Sequence, residues 1–318
     1  MRNAFIDTLF ALAQQDERIV FITGDLGYGV VEKFMEQRPR QFLNAGVAEQ
    51  NMTGIAAGLA LSGKIAFTYS IANFPTLRCL EQIRNDVCYH DANVKVVSVG
   101  GGFSYGALSV THHAVEDLGV MRCLPNMVVI APGDPVETRA ATRAVVAHDG
   151  PCYLRLGKAG EPTVHTGPVE FLIGKAIRLR EGRDVTILSI GGMLQTAMKT
   201  ADHLAAAGVE ARVSSMHTLK PLDVSEVESA VRETRALVTL EEHSIIGGLG
   251  SAVAEVLAEA DWPRIPFKRL GLPSTFSPHI GGQEYLRAQH GLDVAAVAAS
   301  VLAIVGKRQL DAAAILQR

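Results

Sequence analysis

The stretch Arg18-Ile-Val-Phe-Ile-Thr-Gly-Asp-Leu-Gly27 sets the fold class. A short β-branched run ends in a glycine-bounded loop, the pattern of a buried strand with a loop at its carboxyl end. In parallel α/β sheets that edge is where ligands sit. Upstream, Phe5, Leu9 and Leu12 fall at helical spacing within 2–14. Downstream the alternation continues: a weaker strand over 40–44, a helix over 49–61, a strand over 64–69, a helix over 76–89 and a strand over 94–99. The glycine-rich loop Gly100-Gly-Gly-Phe-Ser-Tyr-Gly106 follows, then a helix over 114–124, a strand over 127–131, a helix over 135–148 and a strand over 152–156. Asp134 before Pro135 and Glu137 predicts a capped helix start. Such alternation implies a mostly parallel sheet with helices on both faces.

Gly157, Gly160, Pro162, Gly167 and Pro168 break this rhythm and mark a linker. A second α/β pattern follows, with strands over 185–190, 211–216, 236–240 and 267–272. Its helices cover 194–207, 224–233 and 251–260, the last opened by Gly247-Gly-Leu-Gly250. The expectation is an α/β protein of two domains, each a mostly parallel sheet flanked by helices. Their bounds are 1–160 and 175–318, joined by a linker over 161–174, and the chain closes from about Lys307 in a surface helix or frayed tail. Composition agrees: among 318 residues, 48% are hydrophobic and 20% charged, ample material for buried cores. A net charge of −3, from 30 basic and 33 acidic residues, argues against a nucleic-acid or anionic-membrane partner. No stretch reads as a membrane span. The start of the chain carries charges within any apolar run, unlike a signal peptide. Cys79, Cys88, Cys123 and Cys152 form no C-x-x-C, so neither a disulfide framework nor a metal site is expected, and a reducing cytoplasm is the expected compartment.

Several residues could carry chemistry. In Asn44-Ala-Gly-Val-Ala-Glu49-Gln-Asn-Met52, Glu49 lies at a strand-to-helix junction facing an alanine-rich helix. With Gly46 as N-cap it becomes the third helical residue, where a glutamate helps cap the helix. A catalytic reading requires burial strong enough to offset the helix dipole, which favours the ionised form. Asp25 reads equally as a ligand-facing acid or a turn residue satisfying local amides. Phe74 reads as a stacking aromatic or a core residue at a strand end. His112 and His113 precede a helix, and Arg155 reads equally as a strand-end ion pair. His243 reads as a subunit-interface or active-site-rim histidine, or as a residue satisfying the turn that follows it.

Taken in order, Gly24-Asp25-Leu26, Asn44 through Glu49-Gln-Asn-Met52, Thr111-His112-His113 and Cys123-Leu-Pro-Asn126-Met resemble the pyrimidine-binding domain of transketolases. More loosely they resemble deoxyxylulose-phosphate synthases, also thiamine diphosphate enzymes. Glu241-Glu-His243 with Gly247-Gly-Leu-Gly250 is similar to the C-terminal domain of the same family. The family holds diphosphate and Mg²⁺ on a separate N-terminal domain with a Gly-Asp-Gly signature. No such string occurs here, and the nearest, Gly133-Asp134-Pro135, lacks the second glycine.

The resemblance therefore implies one subunit of a split transketolase, moving a two-carbon ketol unit from a ketose to an aldose. A partner subunit would supply the diphosphate and Mg²⁺ site, in a heterotetramer of two of each chain built on a contact between two copies of this one. It implies that Glu49 hydrogen-bonds N1′ of the thiamine aminopyrimidine, favouring the imino tautomer that removes the C2 proton. It places Phe74 on the ring with Ile71 beside it, Asp25 and Leu26 near the thiazolium, and His112 at the sugar hydroxyls, where histidine suits proton movement near neutral pH. Lys158 stands where an arginine often binds sugar phosphate, with Arg155 as a second candidate. Ala107-Leu108 replaces the family acid pair, and Gly100 stands where a phosphate-binding histidine is common. A less usual ketose is expected from these changes. The rivals are the β subunit of a 2-oxoacid dehydrogenase E1 component, or a non-catalytic transketolase-like partner.

Overall fold

The computed structural model describes the backbone of residues 1–316 and the side chains of residues 1–306. The first sheet takes strands β1 (Ile19–Thr23), β2 (Phe42–Asn44), β3 (Ile65–Ile71), β4 (Val94–Val99), β5 (Val128–Ile130) and β6 (Cys152–Leu156). The second takes β7 (Ile177–Arg180), β8 (Val185–Ser189) and β9 (Ala211–Ser215), then β11 (Leu237–Ser244) and β12 (Phe267–Leu272). Between them in the chain lies β10 (Thr218–Lys220), which crosses to the first sheet. Strand order is β10-β5-β6-β4-β3-β1-β2 in one sheet and β12-β11-β8-β9-β7 in the other. All pairings are parallel except β10 on β5 and β7 on β9. Every residue of β1, β4, β6, β8, β9 and β11 is buried, as expected of parallel strands covered on both faces.

The helices are α1 (Arg2–Ala13), α2 (Glu32–Gln37), α3 (Glu49–Leu61), α4 (Leu80–Gln82), α5 (Asp117–Arg122), α6 (Pro135–Ala147), α7 (Leu194–Ala206), α8 (Val224–Glu233), α9 (Leu249–Glu259), α10 (Gln283–Gln289) and α11 (Val294–Leu316). Phe5, Leu9, Phe21, Phe34, Phe67 and Val145 pack under α1, α2 and α6 on one face of the first sheet. The other face shares one apolar cluster with the second domain, from Met52 and Met121 through Leu188 to Leu249 and Val253. The cap expected at Asp134 is present: its side chain accepts from Glu137 N at 2.8 Å. Its other oxygen accepts from the linker amides of Val164 (2.8 Å) and His165 (2.9 Å), latching the linker to α6.

Three expectations change. The helix over 76–89 is a 3₁₀ turn, the short α4 and a π-helical stretch, Ile83–Cys88. The helix over 114–124 starts only at Asp117, because Ala114 exchanges two backbone hydrogen bonds with Gly102 (2.8 and 3.0 Å). A segment does have the length and apolarity of a membrane span: Gln283–Gly306, mean hydropathy 1.6. It folds as α10 and the start of α11, parted near Gly291, and Leu286, Leu292, Val297 and Val301 enter the core of the second domain. The tail expected from Lys307 is helical backbone through Leu316; its side chains and the last two residues lie outside the described residues.

Candidate active site

Glu49 opens α3 as its first helical residue, with Ala48 as N-cap, rather than the third residue expected from Gly46. A carboxylate there is badly placed for a capping box, and it bonds elsewhere. Oε2 accepts from Arg78 Nη1 at 2.9 Å, joining a side chain 4% exposed to one 48% exposed. Among the described residues Oε1 has no hydrogen-bond partner. The β1 loop lies against it, since a Cβ on Gly24 would stand 3.6 Å from Glu49 Cγ. The side chain is buried while Oε1 stays open to a donor from outside, so the carboxylate is placed to receive a ligand N–H.

Arg78 also lies over the Phe74 ring, its guanidinium carbon 4.5 Å from the centroid. Phe74 meets the His112 ring edge-on at 5.1 Å, and His112 meets Tyr105 at 6.1 Å. Lys158 Nζ stands 4.9 Å above Tyr105. Glu49, Arg78, Phe74, His112, Tyr105 and Lys158 thus form one line of contacts across five separate loops or helix starts. Gly100 has φ +94°, and a Cβ there would fall 2.2 Å from the Tyr105 ring. That position admits only glycine while Tyr105 keeps its place, which gives a physical reason for the missing histidine.

The two histidines divide. His112 is half-buried, its Nδ1 3.0 Å from Thr111 Oγ1. Burial, and then the neighbouring His113, push its pKa below the ordinary 6.5, so it is a neutral acceptor at pH 7. His113 is buried, 3.2 Å from Gly106 O through Nε2 and edge-on to Phe103. His112 alone joins the line.

Asp25 has φ +56° and ties to Asn44: its N donates to Oδ1 at 3.0 Å, and Asn44 Nδ2 donates to its carboxylate at 2.9 Å. Its observed duty is to clasp two loops at the strand ends. Leu26 and Ile71 are half-buried at the ends of β1 and β3 and pack on the first core. Arg155 is corrected as a substrate contact from the strand end. Asp117 takes its Nε at 2.8 Å, and Nη2 donates to Ala114 O (2.7 Å) and Glu242 O (3.0 Å), so it is a buried strut between the domains. His243 is saturated, with Nδ1 2.7 Å from Ser244 O and Nε2 accepting from Gly119 N at 3.2 Å. That makes it a neutral structural residue, in keeping with the lowered pKa its burial causes. Sequence reasoning missed Arg78 and Tyr105. The i, i+4 spacing of Phe74 and Arg78, and an aromatic set among glycines, were the available signals.

Residues 1–161 match the family described as transketolase, pyrimidine binding domain, and residues 174–297 match transketolase, C-terminal domain. The chain is 39% identical over 308 residues to an apulose-4-phosphate transketolase subunit of Phocaeicola vulgatus, covering 96% of this chain and 97% of that protein. It is 41% identical over 293 residues to a 6-deoxy-6-sulfo-D-fructose transketolase subunit of Clostridium sp. (strain MSTE9), covering 92% and 90%. A solved split gene transketolase, an inactive beta4 tetramer, superposes with a TM-score of 0.86 at 40% identity over 96% of this chain and 97% of that one. The transketolase of Pichia stipitis shares the fold, with a TM-score of 0.81 at 18% identity over 96% of this chain and 45% of its own. Both domains matched in order, and near full-length relatives that are single subunits of split enzymes, place this chain in the transketolase family.

Proposed function

We propose that this chain is the C-terminal subunit of a split thiamine diphosphate-dependent transketolase that moves a two-carbon ketol unit from a ketose to an aldose. In this reading it works in the cytoplasm and is active only beside an N-terminal subunit that holds the diphosphate and its Mg²⁺, two of each chain per complex. The observation that carries it is the buried Glu49 carboxylate with one oxygen free, beside the Phe74 ring. Those groups fit an aminopyrimidine, which offers a ring nitrogen to the carboxyl and a flat face to the phenyl. When bound, thiamine diphosphate supplies a nucleophilic carbon and a sink for the electrons of the cleaved carbon–carbon bond.

The chain's own residues do the rest. Glu49 holds a proton at the ring nitrogen from a buried side chain packed beside Met52 and the β1 loop. Phe74 fixes the ring face. His112, neutral at pH 7, takes and returns hydroxyl protons. Lys158, presented over Tyr105, is a point charge for the far end of the sugar. An ammonium accepts sulfonate and phosphate alike, where an arginine fork favours bidentate partners. The relatives named for apulose 4-phosphate and for 6-deoxy-6-sulfofructose support a ketose other than the ordinary pentose phosphates.

The test reconstitutes the chain with its partner and measures steady-state rates over a donor series. Each missing charge-assisted contact is worth about 1.5–3 kcal/mol, so xylulose 5-phosphate should be a poor donor. Ordinary transketolase rates on xylulose 5-phosphate overturn the specificity. Full activity from the purified chain alone overturns the subunit assignment.

A further inference from the structure

Phe74 and His112 touch edge-on, yet they belong to loops far apart in the chain. The Phe74 loop leaves β3 at Ala72, and the His112 loop leaves the turn Gly106–Leu108 at Ser109. Both junction residues have positive φ without being glycine: Ala72 at +35° and Ser109 at +67°, the latter with ψ −166°. Such backbone is strained and persists only where its surroundings hold it.

The two loops are held very differently. Ala72 is buried and tied three times. Its N donates to Val99 O at 2.9 Å, and its O accepts from Ser98 Oγ at 2.8 Å and Thr76 Oγ1 at 3.0 Å. Residues 109–113 bond mostly among themselves and to the turn before them. Ser109 N donates to Gly106 O (3.2 Å), His112 N to Ser109 O (2.9 Å) and His113 N to Val110 O (3.3 Å). Among the described residues, one hydrogen bond joins 109–113 to anything outside the 100–114 loop. Asn73 Nδ2 donates to His113 O at 2.8 Å, across 40 residues of chain.

That bond has little else to back it up. Asn73, Leu77, Val110 and His113 line a cavity of about 250 Å³, so close packing does not fix the two loops together there. Asn73 also keeps its place at a cost, since its Oδ1 is buried with no partner. An amide turned the other way would set that oxygen against His113 O, acceptor to acceptor. The side chain serves the one bond it makes.

We propose that Asn73 is a positioning residue, whose amide holds the His112 loop against the Phe74 ring and so sets His112 where it exchanges protons with the sugar. The inference rests on the role proposed for His112 and acts through it; Asn73 itself touches no reactant. Moving a reacting group by about 1 Å costs on the order of a hundredfold in rate. The Phe74 loop does not depend on Asn73, because Ala72 is pinned separately. Loss of Asn73 should therefore spare cofactor binding and cost turnover.

Three substitutions test it. Asn73→Leu keeps the shape, removes the donor and also removes the orphaned oxygen, so folding should survive. Asn73→Asp sets a carboxylate against His113 O. Asn73→Gln keeps an amide donor. The first measurement is an NMR titration of His112 in the full chain labelled at its histidine rings, the signal assigned by its loss in His112→Gln. Burial, and then His113, hold the His112 pKa below 6.5 in the wild type. In Asn73→Leu the freed loop takes up water, and the pKa should rise towards 6.5. The other titratable or charged groups near the ring are unchanged by the substitution: Tyr105 beside it, Arg78 across Phe74 and Lys158 across Tyr105. The second measurement is kinetics in the complex with the partner subunit. The sugar donor's kcat/KM should fall at least about tenfold in Asn73→Leu, further in Asn73→Asp and less in Asn73→Gln. Thiamine diphosphate affinity and melting temperature should hold. An unmoved His112 titration, a wild-type kcat/KM in Asn73→Leu, or equal losses in Asn73→Asp and Asn73→Gln overturns the proposal. So does an equal loss of cofactor affinity, which would make Asn73 a support for Phe74 instead. A wild-type complex without transketolase activity sinks the proposed reaction, and the titration alone then decides whether Asn73 holds His112.

Discussion

Glu49 carries a test that separates chemistry from architecture. Replacing it by Gln keeps size and hydrogen bonding but removes the exchangeable carboxyl proton. In the assembled complex, C2 hydrogen–deuterium exchange of bound cofactor should slow by orders of magnitude. The melting temperature should barely move, since the Gln amide oxygen can still accept from Arg78 at the same place. Unchanged exchange in Glu49→Gln removes the central assignment. Arg78 gives a second test. Its bond to Glu49 is charge-assisted, and bonds of that kind are worth about 1.5–3 kcal/mol. Arg78→Ala should lower kcat/KM about tenfold to a hundredfold, with little loss of stability because the guanidinium is half exposed. Normal turnover in that variant would make Arg78 a surface ion pair and nothing more. Glu49, Phe74 and His112 were legible because each sits inside a short ordered string. Arg78 was not, because its meaning comes from a carboxylate 29 residues away in the chain. Arg155 was misread for the same reason: strand-end position says nothing of Asp117, 38 residues back.

At the scale of elements, the long parallel strands were readable from their apolar runs. The missed pieces were short or bound by distant partners: β7, β10, α2 and α10 carry too few residues for a period to register. β10 brings a titratable group with it. His217, fully buried just before that strand, stacks on Phe171 of the linker with ring centroids 3.8 Å apart. Burial, and then the nearby His165, push its pKa from 6.5 down to about 4. The unfolded chain takes a proton at 6.5 that the folded chain refuses until 4, so His217's contribution is complete above about pH 6.5 and is lost as pH falls towards 4. The span is on the order of 3 kcal/mol. Glu137, raised to about 7 chiefly by burial, works in the opposite sense, losing its contribution as pH rises through 7. Urea unfolding of wild type and His217→Phe at pH 7 and pH 4.5 therefore isolates the histidine. The variant should lose clearly less stability on acidification than wild type; parallel losses would mean that His217 does not stay neutral in the fold.

For the whole molecule, the surface around α3 sets the expected behaviour of the isolated chain. Val47 and Leu61 are 74% and 62% exposed at the two ends of α3, and Tyr28 is 76% exposed in the loop after β1. Gly54 and Gly58 leave open space between the ends of that helix. Apolar area of this kind drives association, so light scattering should find the isolated chain above monomer mass. Adding the N-terminal subunit should redistribute it into a complex of two of each chain, with activity appearing in step. A monomer that stays monomeric after mixing would overturn the partnership. The two-domain outline was legible because each half has its own alternation of strands and helices. The traffic between the halves was hidden, since a three-residue strand carries no signature of which sheet it joins. That traffic has an engineering consequence. Because β10 hydrogen-bonds to the border of the first sheet, the linker is not a clean place to cut. A fragment ending near residue 160 would bare the amides and carbonyls of β5, an invitation to stick to its own copies. Chimeras that trade substrate-facing halves between relatives must therefore graft Thr218–Lys220 with the recipient's β5, or inherit a fraying selvedge where the two fabrics are sewn together.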